Sequence, residues 1–197
     1  MTDTMTLSLS ELRGLIAKAA RGAGLSWGLA EEAGWAAEWL ARRGMPAADW
    51  ATLWLAARVD QALSPVEVGV RMADDPAGGL GPNGTALPDG LTAPGYLLPF
   101  LHRIAETRAP LAITSERGPV ALVTPAGQVE FGPCWLPQSS GWTVGKVDGA
   151  TGWRDPTCRP TVSRATLACL DAIALRTTVP PSDASRRDAG SATGDND

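Results

Sequence analysis

The sequence predicts an α+β fold, in which an N-terminal three-helix bundle is followed by a small antiparallel β-meander with flanking helices and an extended C-terminal tail. Two observations predict it. In the first third of the 197 residues, apolar side chains recur at steps of three and four, as in amphipathic helices. In the second half, short apolar and β-branched runs are separated by glycine-containing turns. The apolar pattern therefore changes from a helical to a strand-like period along the chain.

Three helices are delimited by their capping signals. The first begins at a capping box that starts at Ser8, and it ends at Gly22. The second begins after Ser26, whose hydroxyl can cap the free amides, and it ends at Gly44. The third covers residues 47–63. Because the connections are short, we expect the three helices to pack as an antiparallel bundle.

Two segments join the helical half to the rest. Residues 66–74 alternate between apolar and polar like a strand, yet a helix that starts after Pro65 fits equally well, so the sequence leaves them unassigned. Residues 75–95 are dense in glycine and proline, which is typical of a long surface loop or linker.

The second half is predicted to contain both strands and helices. A short helix covers residues 96–107, and three β-rich runs over residues 110–133 are expected to form an antiparallel meander. Residues 142–147 could add another strand. A helix over residues 161–176 then follows, and its apolar face could cover one edge of the sheet.

These elements divide the chain into four parts. We expect a helical subdomain over residues 1–74, a Gly/Pro-rich loop or linker over residues 75–95, an α+β subdomain over residues 96–178 and an extended or disordered tail over residues 179–197. The polar composition of the tail favours disorder. Its stiff Val-Pro-Pro-Ser segment and its arginines fit the alternative, a segment that lies in a groove of its own domain or of a partner.

Composition excludes several classes of protein. The net charge of −4 disfavours binding to nucleic acid and to anionic membranes, both of which need a basic patch. No apolar run is long enough to span a membrane. Three cysteines at unrelated spacings indicate a reducing compartment, and the opening residues lack the pattern of a secretory signal. We therefore expect a soluble cytoplasmic protein.

The eight tryptophans are unusually many and fall into two groups. Four lie at helical spacing and are expected in the core, although two facing pairs could form an aromatic box for a cationic or heterocyclic ligand. These are Trp35, Trp39, Trp50 and Trp54. The other four lie near predicted element ends or in loops, where amphipathic rings often contact a ligand or partner. These are Trp27, Trp135, Trp142 and Trp153.

The turn between the first two helices is a candidate anion site. Lys18 and Arg21 precede Gly22 and Gly24, and a new helix starts directly afterwards. Free backbone amides and two cations could hold a small anion such as phosphate or a carboxylate. The alternative is an ordinary helix C-cap, because the motif is not that of a dinucleotide-binding loop.

No motif predicts a reaction, a metal or a cofactor. His102 is the sole histidine, and no serine or acid beside it suggests a catalytic triad. The three cysteines contain no Cys-x-x-Cys pair, so we expect no zinc site. Cys158 lies in a predicted loop, where its thiol could contact a ligand. Whether the protein is an enzyme is left undecided by the sequence.

Two long motifs resemble a known family. The segments KAARGAGLSWGLAEEAG (residues 18–34) and RTTVPPSDASRRDAGSATGDND (residues 176–197) are similar to a bacterial, mainly proteobacterial family catalogued as a domain of unknown function, number thirty-seven twenty-six. The resemblance implies no activity. Within the tail, the segment SDASRR brings two hydroxyls and two guanidiniums together, which makes Ser185 and Arg186 candidate contacts. The sequence has GSATG where the family leads us to expect GAGAG.

Two functions from different classes follow. The first is a non-catalytic accessory or partner-binding protein of a metabolic enzyme system, which binds a protein partner or a second copy of itself through the tail and the loop tryptophans. The alternative is a small-molecule enzyme or a metabolite-binding protein. Its site would lie between the helical and β halves and would use Arg186, Ser185, Cys158 or His102.

Overall fold

The computed structural model describes residues 4–58, 63–75, 80, 84–107, 109–147 and 160–177. Within these ranges the chain forms six α-helices and seven β-strands, and the N-terminal helices precede an antiparallel meander. The predicted α+β class is therefore confirmed. The tail over residues 179–197 lies outside the described residues.

Four helices make up the N-terminal part. They are α1 (Leu9–Gly22), α2 (Trp27–Arg42), α3 (Ala47–Ala57) and α4 (Pro65–Asp74). The capping box predicted at Ser8 is present. The Ser8 hydroxyl accepts from the backbone amide of Glu11, and the Glu11 carboxylate accepts from the backbone amide of Ser8.

Helix α4 is the segment that the sequence left unassigned. It begins with a second capping box, in which Ser64 Oγ accepts from the Glu67 amide at 3.1 Å and Glu67 Oε2 accepts from the Ser64 amide at 3.0 Å. Burial tends to raise the pKa of Glu67, but hydrogen bonds from Ser64 and Arg58 outweigh it and lower the pKa. Both Val66 and Val68 are buried, since α4 packs against α2 and the residues around α5. An alternating sequence is thus compatible with a helix here.

The main sheet has five antiparallel strands in the order β2-β6-β3-β4-β5. The strands are β2 (Thr85–Ala86), β3 (Leu111–Ser115), β4 (Gly118–Val123), β5 (Val129–Phe131) and β6 (Thr143–Lys146). The run β3-β4-β5 is the predicted meander. Strand β6 is the additional strand expected over residues 142–147, and it pairs with the free edge of β3.

Helix α5 (Leu98–Glu106) links the helices to this sheet, and a 3₁₀ turn over Pro94–Leu97 precedes it. It packs against α4 on one side and touches β3 and β4 on the other. The buried residues of the helical and β parts form one hydrophobic cluster. The described parts of the chain are therefore joined by a shared core.

The C-terminal helix lies elsewhere than predicted. Residues Thr161–Ser163 form strand β7, which pairs antiparallel with β1 (Thr4–Thr6), and α6 (Arg164–Ala174) starts only after it. Helix α6 packs against α1 and α3 instead of covering an edge of the five-stranded sheet. A Cβ atom added to Gly22 would lie 1.7 Å from Ile173 O, so α1 and α6 touch through their backbones.

Part of the Gly/Pro-rich stretch is held by hydrogen bonds. The amides of Leu87, Gly90 and Ala93 donate to carbonyl oxygens of the segment 137–142, at 2.8 to 2.9 Å. Leu87 and Ala93 are buried. This pairing fixes the course of the 137–142 segment, which leads directly into β6.

Candidate functional site

Four aromatic rings from separate parts of the chain meet at one place. Trp142, just before β6, is 1% exposed and forms the base of the group. Trp135 lies over it with ring centroids 5.5 Å apart, and Phe131 of β5 meets Trp135 edge-on at 4.6 Å. Trp50 of α3 completes the group at 6.1 Å from Trp135. The rings therefore connect the helical part to the β part through aromatic contacts.

The surrounding backbone holds these rings in position. A Cβ atom on Gly95 would lie 2.2 Å from a ring atom of Trp50, so this glycine allows the indole to lie directly on the 3₁₀ turn. The amide of Gly132 donates to Val120 O at 2.8 Å, and that of Trp135 donates to Gly132 O at 3.2 Å. The loop that carries Trp135 is thus attached to β4.

The outer side of the ring group is apolar and open to solvent. Phe131 is 45% exposed, Leu136 is 40% exposed, and Leu53, one helical turn after Trp50, is 49% exposed. These are three of the seven large apolar side chains that are exposed in the described part of the chain. We call Trp50, Leu53, Phe131, Trp135 and Leu136 the aromatic surface. Exposed aromatic and aliphatic side chains that lie together are typical of binding surfaces.

A cavity of about 310 Å³ lies beside the aromatic surface. One wall is the turn over residues 115–117 between β3 and β4, and the other is the loop over residues 133–142. Leu136 and Trp142 line it, so the cavity and the ring group share a wall. Cys134 also lines it, and its thiol donates to the backbone carbonyl of residue 117 at 3.4 Å.

The turn between α1 and α2 forms an ordinary helix C-cap. Gly24 has a φ of +89°, its amide donates to Arg21 O at 2.9 Å, and the Leu25 amide donates to Ala20 O at 3.1 Å. This pair of bonds is a Schellman motif, which satisfies the last carbonyls of α1. Glycine is favoured here because other residues rarely adopt this left-handed conformation.

Lys18 and Arg21 do not form an anion site with unpaired backbone amides at the start of α2. The Arg21 guanidinium donates to Leu25 O and lies over the Trp27 ring at 4.6 Å. Ser26 caps α2 by accepting from a backbone amide at 3.4 Å, and the Lys18 side chain is exposed. Trp27 itself is 72% exposed and stands apart from the ring group described above.

His102 uses both ring nitrogens within the fold. Trp39 Nε1–H donates to His102 Nδ1 at 3.3 Å, so the imidazole proton lies on Nε2, which donates to Pro125 O at 3.2 Å. Burial lowers the pKa of His102 and the Arg43 guanidinium lowers it further, while Glu106 and the Pro125 carbonyl oppose the shift without reversing it. The ring is therefore neutral and joins α2 and α5 to the turn between β4 and β5.

Arg43 strengthens the same junction. Its Nε donates to Gly127 O at 2.6 Å, its Nη1 donates to Trp39 O at 3.2 Å, and its guanidinium lies 3.7 Å from the centre of the Trp39 ring. We call Trp39, Arg43 and His102 the junction cluster. Its contacts are structural, because each polar group is directed at a backbone carbonyl or a neighbouring side chain.

The helical tryptophans do not form the aromatic box that was considered as an alternative. Trp54 is buried and packs edge-on against Tyr96 at 5.5 Å, and Trp35 packs edge-on against Phe100 at the same distance. Burial also raises the pKa of Tyr96. The other two helical tryptophans belong to the junction cluster and to the aromatic surface. The pair Trp35 and Trp39 therefore does not face the pair Trp50 and Trp54, because each ring packs against side chains of other parts of the chain.

The structure locates only some of the predicted contact residues. Trp135 and Trp142 lie together in the ring group, whereas Lys18, Arg21 and Trp27 lie at the α1–α2 turn. Three further candidates and a loop tryptophan lie outside the described residues; they are Cys158, Ser185, Arg186 and Trp153.

Sequence reasoning missed the exposed members of the aromatic surface, Leu53, Phe131 and Leu136. The available signal was the segment FGPCWLP, where three large apolar residues lie among glycine and proline. Such a density of apolar side chains in a turn-rich segment leaves few of them a place in a strand or helix.

Comparisons with known proteins bear on the helical part. Residues 7–74 match the model of a family described as "Protein of unknown function (DUF3726)". No curated protein and no solved structure matches the chain. In the described ranges, no group of side chains could hold a metal ion, and none of the helices could cross a lipid bilayer. The match includes the motif over residues 18–34, so the resemblance to this family of unknown function is confirmed over residues 7–74.

Proposed function

We propose that the protein is a non-catalytic accessory protein that binds another protein through the aromatic surface. The observation that carries this proposal is the concentration of exposed apolar side chains, Leu53, Phe131 and Leu136, around two neighbouring tryptophan rings. Tryptophan and other large aromatic residues are the side chains most enriched among those that dominate binding energy at interfaces.

The energetics favour this surface for binding. Complete burial of a phenylalanine or leucine side chain contributes about 1.5–3 kcal/mol, and about half of that gain is still available for Phe131 and Leu136. Trp135 is already held against Trp142 and Trp50. The surface is thus ordered before a partner arrives, which lowers the entropic cost of association.

The environment of His102 supports the non-catalytic part of the proposal. It is the sole histidine of the chain, and both of its ring nitrogens are engaged in hydrogen bonds within the junction cluster. Its neutral state follows from burial and not from the neighbourhood of a nucleophile. The ring is therefore not positioned as a general base toward the cavity beside the aromatic surface.

The test is affinity capture with the full chain from cells that make it, followed by reconstitution with the purified captured protein. We expect the double variant F131S/L136S to retain its fold by circular dichroism and to lose at least about tenfold in affinity, because two central apolar contacts are removed. The dissociation constant is measured by isothermal titration calorimetry.

The control is Leu175→Ser, which removes a leucine side chain that is more exposed than Leu136 and lies in the turn after α6. It should bind like the wild type. Equal affinity of the wild type and F131S/L136S for the reconstituted partner would contradict the proposal, and so would an equal loss in the control.

A further inference from the structure

The cavity beside the aromatic surface has two charged side chains on one wall. Glu116 and Arg117 occupy the turn between β3 and β4, line the cavity and are exposed. Neither forms an ion pair within the described part of the chain, either with the other or with a third residue. Both charges are therefore available to a molecule that enters.

The turn is rigidly built despite its exposure. Ser115 Oγ donates to Gly118 O at 3.2 Å and accepts from the Arg117 amide at 3.3 Å. The Arg117 carbonyl accepts from the Cys134 thiol across the cavity. None of these bonds uses the Glu116 carboxylate or the Arg117 guanidinium, and both residues are exposed.

The opposite wall is mainly apolar. Pro133, Leu136 and the buried Trp142 contribute to it, and the Ser140 hydroxyl lies among them. At about 310 Å³, the cavity is near the lower end of the size range of ligand sites, which suits a small metabolite better than a nucleotide.

These features together specify the chemistry of a ligand. A singly charged molecule would pair with one of the two side chains. It would also displace water from the other side chain without offering it an opposite charge, which costs binding free energy. A molecule with one ammonium and one carboxylate can pair with Glu116 and Arg117 at once. An apolar substituent on that molecule would lie against Leu136 and Trp142. We infer that this cavity binds a small zwitterion with an apolar side chain, namely an apolar α-amino acid.

The site shares Leu136 with the proposed interface. Ligand binding is measured on the chain without a partner, so either proposal can fail without the other. Isothermal titration calorimetry of the full chain uses three probes: L-phenylalanine, its amide, which lacks the carboxylate, and its N-acetyl derivative, which lacks the ammonium. We expect phenylalanine to bind at least about tenfold more tightly than either analogue, since each removes one charge-assisted hydrogen bond.

Two substitutions assign the charges. Arg117→Gln should abolish the preference for phenylalanine over the amide, and Glu116→Gln should abolish the preference over the N-acetyl derivative. The control variants, Arg71→Gln and Glu130→Gln, make the same changes of charge at exposed positions that do not line the cavity. They should bind like the wild type. The inference is overturned if phenylalanine does not bind, if all three probes bind equally, or if the controls lose as much affinity as the cavity variants.

Discussion

His102 is the residue whose surroundings are most fully specified by the structure. It is neutral, it accepts from Trp39 Nε1, and it donates to Pro125 O. Because burial lowers its pKa, the folded protein takes up a proton less readily than the unfolded chain. The contribution of neutral His102 to the free energy of unfolding is therefore complete above the ordinary histidine pKa of about 6.5. It is lost as the pH falls through the lower pKa of the folded protein.

This linkage predicts a specific pH dependence. The free energy of unfolding of the wild type, measured by urea denaturation, should decrease between pH 7.5 and 5.5, whereas that of His102→Gln should change much less. No other side chain of the chain is a histidine, so the comparison isolates this group. An equal decrease in both proteins would show that His102 is not held neutral by the junction cluster.

Gly127 is a second residue with a clear steric role. Its φ is +78°, and an added Cβ would lie 2.4 Å from Arg43 Nη2 and 3.0 Å from His102 Nε2. We expect Gly127→Ala to lower the free energy of unfolding by about 2–4 kcal/mol, through backbone strain and disruption of the junction cluster. Gly90→Ala is the control, because its φ is +74° but nothing lies near its Cβ; it should cost only about 1 kcal/mol. Equal losses in urea denaturation would contradict the steric account.

Among the elements, α1 and α6 approach so closely that Gly22 has no room for a side chain. An alanine at Gly22 would place its Cβ 1.7 Å from the Ile173 carbonyl oxygen, and a backbone atom cannot move aside as a flexible side chain can. We expect Gly22→Ala to lower the free energy of unfolding by about 1–3 kcal/mol, measured by thermal or urea denaturation.

A matched control lies in the same helix. Gly14 has open space around its Cβ position, so Gly14→Ala should stabilise α1 by about 0.5–1 kcal/mol through the better helix propensity of alanine. If both alanine variants were more stable than the wild type, α6 would not pack on Gly22 as described.

The elements that the sequence predicted well are those with local signals. The starts of α1 and α2 follow from the hydroxyls of Ser8 and Ser26, and their ends follow from Gly24 and Gly44 in left-handed conformations. These signals involve residues within one or two turns of each other. Interpretation from the sequence alone was therefore sufficient for these helices.

Elements that depend on distant contacts were harder to predict. Helix α4 buries a face that includes Val66, Gly69 and Met72, but its alternating valines give the same residues a strand-like pattern. Only its packing against α2 and α5 decides between the two. The segment Thr161–Ser163 has a helical apolar pattern after it, but it forms a strand because Thr4–Thr6 is available to pair with it. That partner lies near the other end of the chain.

In the whole molecule, the candidate site arises where α3, β5 and the loop before β6 meet. The sequence singled out Trp135 and Trp142 because they lie in a loop, and these two do lie together. It could not predict that Trp142 is buried. Nor could it predict that Trp50 of α3 lies near Phe131 of β5, because this contact joins distant parts of the chain. Long-range packing, and not local pattern, creates this surface.

Site-specific photo-cross-linking shows whether the aromatic surface contacts another protein in the cell. A benzophenone amino acid is placed at position 136 or at position 27 of the full chain, in cells that naturally make it, and adducts are identified by mass spectrometry. Trp27 is the stringent control because it is more exposed than Leu136 but stands apart from the aromatic surface. We expect one recurrent protein adduct at position 136 that is absent at position 27. No adduct at position 136, an adduct only to a second copy of the chain, or the same adduct at both positions would contradict it.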